Sequence, residues 1–204
     1  PLSFDVDFIQ SHVEPVITKV QTNNAELSFS SHGAALVDAV FIRQLSGGRS
    51  QAFTVWKEDY FTEGNQFPFV VGLDQNTPYN YDLIDHKADG DIVVLTYKGH
   101  SDQGDIIKEF TIHKDNSVID LALTLRPKKN MHPRIMWANP MLKELGEYDS
   151  VNAIAYTKTG KFVSTSASKI NATQGYLQPD MFGADNKYFL CAMVKDSDKF
   201  INRA

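Results

Sequence analysis

Asp105–Leu125 reads DIIKEFTIHKDNSVIDLALTL, and its alternation decides the fold. From Ser117 to Leu125, Ile119, Leu121, Leu123 and Leu125 fall on one face, and Val118, Asp120, Ala122 and Thr124 on the other. Just before it, Ile106, Lys108, Phe110 and Ile112 alternate with Ile107, Glu109, Thr111 and His113. A period of two over this length is what a strand with one face in a core requires. Lys114-Asp115-Asn116 joins the two runs, and Asp and Asn tolerate the left-handed backbone of a tight turn. Upstream, Asp91–Tyr97 (DIVVLTY) reads as a third strand, linked through a turn over Gly99–Gly104. The three runs predict an antiparallel meander.

The same signals recur outward from this stretch. Val16–Gln21 and Glu26–Ser30 flank Thr22-Asn23-Asn24, a hairpin turn. Ala34–Ile42 follows Gly33, and Ala52–Trp56 follows the Gly47-Gly48 turn. Arg134–Ala138, Val151–Tyr156, Lys161–Ser164 and Lys187–Val194 complete the set. About ten short strands spaced by turns predict an all-β, mainly antiparallel sandwich with little helix. Met141–Tyr148 has room for a turn or two of helix, and no segment carries a long apolar stripe of helical period. Thr165–Thr173, rich in small polar residues, reads as an exposed loop. The whole chain, 1–204, is expected to form one domain, with 1–15 as a linker or extended arm.

Composition narrows the function. A net charge of -5, with 20 basic against 25 acidic residues, offers no lysine- or arginine-dense stretch to track a phosphate backbone,. Nucleic-acid binding is therefore disfavoured. The one short basic run, Arg126-Pro127-Lys128-Lys129, reads as a solvated turn. No apolar stretch approaches the roughly 18–20 residues of a membrane-spanning helix. The first residues, Pro1-Leu2-Ser3, show no basic start or cleavable apolar segment. The chain is thus expected to be a fragment whose signal or anchor lies elsewhere. A single cysteine, Cys191, rules out an intramolecular disulfide,.

The motifs that carry chemistry are weak. The six histidines, His12, His32, His86, His100, His113 and His132, contain no close metal-ligand pair,. Cys191 sits between Leu190 and Ala192 in an apolar strand and reads as a small core residue. No serine lies in a nucleophile elbow, and Gly47-Gly48-Arg49-Ser50 lacks the first glycine and the lysine of a phosphate loop. Acidic pairs such as Glu58/Asp59, Asp102/Asp105, Glu144/Glu147 and Asp196/Asp198 read as solvated loops. Asn171-Ala172-Thr173 fits a glycosylation sequon, a pattern that also arises by chance. Trp56, Tyr60, Phe61, Phe67, Phe69 and Tyr79 would suit a sugar- or peptide-binding groove, but core packing is the expected role of so many aromatics. No catalytic residue, cofactor site or metal site is assigned.

Several separated patches resemble one family. Val16–Ile42 (VITKVQTNNAELSFSSHGAALVDAVFI) is similar to the opening of the large periplasmic domain of the YidC membrane-protein insertases, with the turn at His32-Gly33-Ala34-Ala35. Family members commonly show two adjacent glycines there; here the second is alanine. Leu95–Leu125 resembles the family's central meander, in which a K-x-F-x-x-x-x-D/N-x-Y-x-I-x-L-like pattern is typical. Ile135–Leu142 (IMWANPML) is similar to a W-G-P-G-hydrophobic segment through Trp137. Ala155-Tyr156 followed by Gly160-Lys161 fits the next strand pair, and Phe182-Gly183-Ala184-Asp185-Asn186-Lys187-Tyr188-Phe189-Leu190 is similar to a W-x-G-x-x-x-K-Y-F strand. The residues carrying the resemblance as structural positions are Gly33, Phe110, Trp137, Tyr156, Gly183, Lys187, Tyr188 and Phe189.

The resemblance implies a β-supersandwich similar to galactose mutarotase, facing the periplasm at the bacterial inner membrane and tethered through segments outside this chain. It implies no catalytic residue. Implied partners are Sec translocon accessory subunits and nascent membrane proteins, toward which such a domain assists insertion and folding. In the family further strands and a linking helix follow the K-Y-F strand, whereas about ten residues follow Val194 here. The chain is therefore expected either to be cut short or to close its sandwich differently. Two other readings stand beside this one. A mutarotase-like enzyme needs a histidine acid and a carboxylate base, for which His100, His113 or His132 with Glu109 or Glu144 are the available groups. A carbohydrate-binding module would rest on the aromatics from Trp56 to Tyr79.

Overall fold

The computed structural model describes residues 8–9, 13–56, 67–73, 76–127, 133–135, 137, 151–170, 179–185 and 190–196. The fold is nearly all antiparallel β. The chain divides into two compact units, Phe4–Ala138, and Asn139–Ala204 with Pro1–Ser3.

The first unit holds two four-stranded sheets and a two-stranded one. Strands β1 (Ile17–Gln21), β2 (Ala25–Ser30), β3 (Ala35–Gln44) and β4 (Ser50–Trp56) form the first sheet in chain order. Strand β5 (Val71–Gly72) pairs with β10 (Arg134–Ile135). Strands β6 (Tyr81–Asp89), β7 (Ile92–Ser101), β8 (Gly104–His113) and β9 (Ile119–Pro127) form the second, a four-stranded meander. Chain-order neighbours are what short turns produce, because each connection needs only a few residues of favourable turn chemistry. Thr22 supplies one: its hydroxyl accepts from the Ala25 amide at 2.8 Å and closes the β1–β2 turn.

The alternation expected in Asp105–His113 is present: Ile106, Lys108, Phe110 and Ile112 are buried while Glu109 is exposed. The two large sheets meet through these inward faces, with the Phe29 ring of β2 5.0 Å from that of Phe110 on β8. Phe29, Leu36, Leu95, Ile106 and Phe110 are sealed from solvent, each contributing about 1.5–3 kcal/mol by burial,.

Several boundaries differ from the expectation. The turn placed over Gly99–Gly104 is shorter: β7 runs on to Ser101, and Ser101 pairs with Gly104. Gly99 is a strand residue whose partner is Tyr81. A Cβ there would stand 2.5–2.8 Å from the Tyr81 ring, so the missing side chain is what lets the ring lie over β7. The start of Thr165–Thr173 is not loop: Thr165 and Ser166 end strand β12 and Ala167–Lys169 make a 3-10 turn. Met141–Tyr148 lies outside the described residues.

The second unit is a four-stranded antiparallel sheet, β12 (Phe162–Ser166), β11 (Asn152–Thr157), β13 (Pro179–Asp185) and β14 (Leu190–Val194), in that spatial order. Of the segment read as one strand, Lys187–Val194, the described part Leu190–Val194 forms β14, and Phe182–Asp185 belongs to the preceding strand. Gly183 permits the close approach of the two: a Cβ on it would be 2.2 Å from the Cys191 carbonyl oxygen.

Replacing Gly99 by alanine forces the buried Tyr81 ring aside and is expected to lower stability by about 1–3 kcal/mol. Urea unfolding measures this, and an unchanged midpoint would show that the ring yields freely.

Candidate functional site

The densest chemistry in the first unit gathers around Lys108. Strand alternation points its side chain inward from β8, between Ile106 and Phe110, and it is fully buried. Its ammonium donates to the carbonyl oxygens of Gly33 at 2.5 Å, Phe69 at 2.6 Å and Ala34 at 3.3 Å. The Tyr81 ring face covers another side, its centroid 4.9 Å from Nζ. A lysine ammonium has three N–H donors, and three acceptors meet them. Burial nevertheless acts on the charge, holding the Lys108 pKa well below its ordinary value,.

The acceptors face inward because of their backbone. Gly33, Ala34 and Phe69 all have positive φ, at 68°, 41° and 72°. That conformation is costly for the alanine and the phenylalanine, and is kept where the surroundings over-determine it. Around the amine the aromatics close up. Phe69 packs edge-on against Phe110 at 5.4 Å and Trp137 at 5.2 Å, and Tyr97 meets Phe110 at 6.2 Å. Burial pushes the phenol pKa values of Tyr81 and Tyr97 up.

Three of the residues singled out by the family resemblance, Gly33, Phe110 and Trp137, therefore belong to one cluster. Gly33 supplies a carbonyl to Lys108, Phe110 lies in the middle of the ring stack, and Trp137 flanks Phe69. Tyr156 and Gly183 are in the second unit, on adjacent strands β11 and β13. Lys187, Tyr188 and Phe189 lie outside the described residues. Lys108 and Tyr81 were not among the sequence candidates. The available signal was a lysine on the apolar face of an alternating strand.

Of the aromatics considered for a groove, Phe67 and Phe69 are core residues. Tyr79 stacks between Phe8, at 5.4 Å, and His32, at 4.6 Å. Tyr60 and Phe61 lie outside the described residues.

Two of the histidines considered as acids, His100 and His113, are on the opposite, outward face of the meander. His100 Nδ1 lies 2.5 Å from Asp105 Oδ1, and Lys98 Nζ 3.0 Å from Asp105 Oδ2. His100, and after it Lys98, holds the Asp105 carboxyl below the usual carboxylate range. His113 Nε2 pairs with Asp120 at 2.7 Å. The register places His100 opposite Asp105 and His113 opposite Ile92, at opposite ends of the β7–β8 ladder. Glu109 partners neither in these pairs, and His132 and Glu144 lie outside the described residues. Among the described residues no three His, Cys, Asp or Glu side chains group to hold a metal. Cys191 is half-buried, and burial pushes its thiol up to about 11, which leaves it a poor nucleophile at neutral pH,.

The second unit presents an apolar row. Phe162, Tyr156, Met181 and Val194 lie in one register line across its four strands. Phe162 is 54% exposed, Tyr156 40% and Val194 67%. No helix among the described residues is long and apolar enough to cross a membrane.

No family model matches the chain, and no curated protein matches it.

Lys108→Met keeps the stem but strands three buried carbonyls, and is expected to cost about 2–5 kcal/mol in denaturant unfolding. The pH dependence has a definite sign. Between the lowered folded pKa and the ordinary 10.5, the unfolded chain binds a proton that the folded chain has shed. Stability attributable to Lys108 therefore rises with pH through that interval, by at most about 1.4 kcal/mol per pH unit. Subtracting the Lys108→Met curve from the parent curve below about pH 9.5, where tyrosines in both states stay protonated, isolates the slope. A flat or falling difference contradicts it.

Proposed function

We propose that this chain is a non-catalytic, periplasm-facing β domain of a bacterial inner-membrane insertase of the YidC type. In this reading it has a supersandwich architecture akin to galactose mutarotase, is tethered by segments outside the chain, and contacts Sec translocon accessory subunits or nascent membrane proteins. The observation that carries the reading is where the resembling residues lie. Gly33 accepts from Lys108, and Phe110 and Trp137 pack on Phe69, whose carbonyl also accepts from Lys108 in the first unit. Residues spent on packing fit a domain that serves as a shaped surface, because catalysis requires groups aimed at a reachable reacting atom. The outward histidines fit the same reading: His100, together with Lys98, contacts Asp105, and His113 contacts Asp120, each on the outward face.

The apolar row of the second unit is a natural place to monitor contacts, since exposed apolar groups in line on a sheet suit a partner surface. With a photo-crosslinking amino acid at position 156, 162 or 194 in bacterial membranes, adducts are expected with Sec accessory subunits or with a membrane protein under synthesis. The coding region around the chain is expected to supply a membrane anchor before it and about five spans after it. Absence of those spans, together with no adduct at any of the three positions, would overturn the reading.

A further inference from the structure

The surroundings of Lys108 have the form of a small-molecule receptor. Three carbonyl oxygens, from the turn at Gly33 and Ala34 and from Phe69 in a separate segment, converge on one point within 3.3 Å of Nζ. Each comes from a residue of positive φ, so backbone conformation, not side-chain reach, aims the three dipoles. The Tyr81 ring adds the negative face of its π-system at 4.9 Å,. Gly99 lets that ring take its place, since any Cβ there would collide with it. Among the described residues no carboxylate pairs with Lys108, so the cation is held by dipoles and a ring alone. Three acceptors for three N–H donors, with an aromatic face, is the complement of a primary ammonium.

We propose that this cradle is a primary-ammonium receptor in its own right, which the folded chain fills with the side chain of Lys108. Recognition then resides in the cradle and not in the tether. Cutting the lysine back to alanine removes the amine with three methylenes, leaving a site shaped for n-propylammonium. The proposal is independent of the insertase reading, because its readout is folding of this chain and involves no partner.

The experiment is chemical rescue at pH 7, where alkylamines are protonated. Lys108→Ala is expected to be destabilised, and n-propylammonium chloride is expected to raise its Tm. The folded-to-unfolded ratio should grow as 1 + [L]/Kd, about elevenfold when the ligand is ten times its Kd. Ethylammonium should rescue less and methylammonium least, because they fill less of the vacated stem. Tetramethylammonium chloride, which has no N–H, and n-propanol, which has no charge, should not rescue. Lys108→Met, whose side chain still occupies the stem, should not respond to n-propylammonium. Equal rescue by n-propanol would mean simple cavity filling and overturn the proposal. So would an equal response of Lys108→Met, or a Lys108→Ala variant as stable as the parent. If Lys108→Ala does not fold in buffer, refolding in n-propylammonium becomes the readout, and failure to fold there overturns it as well.

Discussion

A buried lysine amine with no carboxylate partner is among the most expensive groups a core can hold, and among the described residues of the first unit Lys108 is such a group. Moving a lone lysine charge into an apolar interior costs several kcal/mol even after relaxation, so the group must be solvated by the protein itself. The chain does this with backbone. Gly33, Ala34 and Phe69 adopt positive φ and turn their carbonyls onto Nζ. For Ala34 and Phe69 the conformation costs about 1–2 kcal/mol each. That cost is offset because the same contacts tie two distant segments to the meander. The turn before β3 and the segment carrying Phe67, Phe69 and Val70 are both anchored through one side chain, and the apolar residues of that segment can then pack under Ala35 and Val37.

The same centre explains why two glycines matter for different reasons. Gly33 needs its positive φ, and its missing Cβ also leaves room for Val70, whose Cγ2 would stand 3.0 Å from a Cβ. Gly99 lies in an ordinary strand and has no such need. It is there because Tyr81, across the ladder, must lie over the backbone to reach the ammonium. A glycine beneath a cross-strand aromatic is a known way to repair a weak strand position. From sequence alone such a glycine looks like a turn, since glycine is the strongest punctuation in a chain. Read as punctuation, Gly99 puts the start of the β7–β8 turn two residues before the end of β7 at Ser101.

Strands with one face in the core were legible because burial writes a period of two into them; β8 is the clear case. Strand β6, YDLIDHKAD, was missed for a physical reason. It is the outer strand of its sheet and mostly exposed, and its pairing slips between Leu83 and Asp85, so neither burial nor period marks it. The position of Lys108 on an apolar face was visible, but its partners were not. They lie 74 and 75 residues away at Ala34 and Gly33 and 39 away at Phe69, and they are backbone atoms, which no residue type announces. The second unit was harder still. Few of its described side chains are fully buried, so its strands carry weak alternation, and the close approach at Gly183 depends on a neighbour across the hairpin.

The location of the resembling residues also bears on what a resemblance can mean. A motif that resides at exposed, reactive positions speaks to chemistry, while one that resides in the core speaks first to the fold. Here Lys108, Phe110, Gly33 and Trp137 form a single packed constellation that shares one constraint: losing the Lys108 amine leaves strained backbone and unsatisfied carbonyls. Such a constellation holds a scaffold constant while its outward faces remain free to diverge. On this chain those faces are of two kinds. The meander turns out polar contacts, Lys98 and His100 with Asp105 and His113 with Asp120, whereas the second unit turns out the apolar line of Phe162, Tyr156 and Val194. Exposed polar contacts of this kind contribute little to stability, and exposed apolar side chains contribute less than buried ones. Stability therefore constrains neither face closely, and whatever specificity the domain has toward partners is free to reside in them.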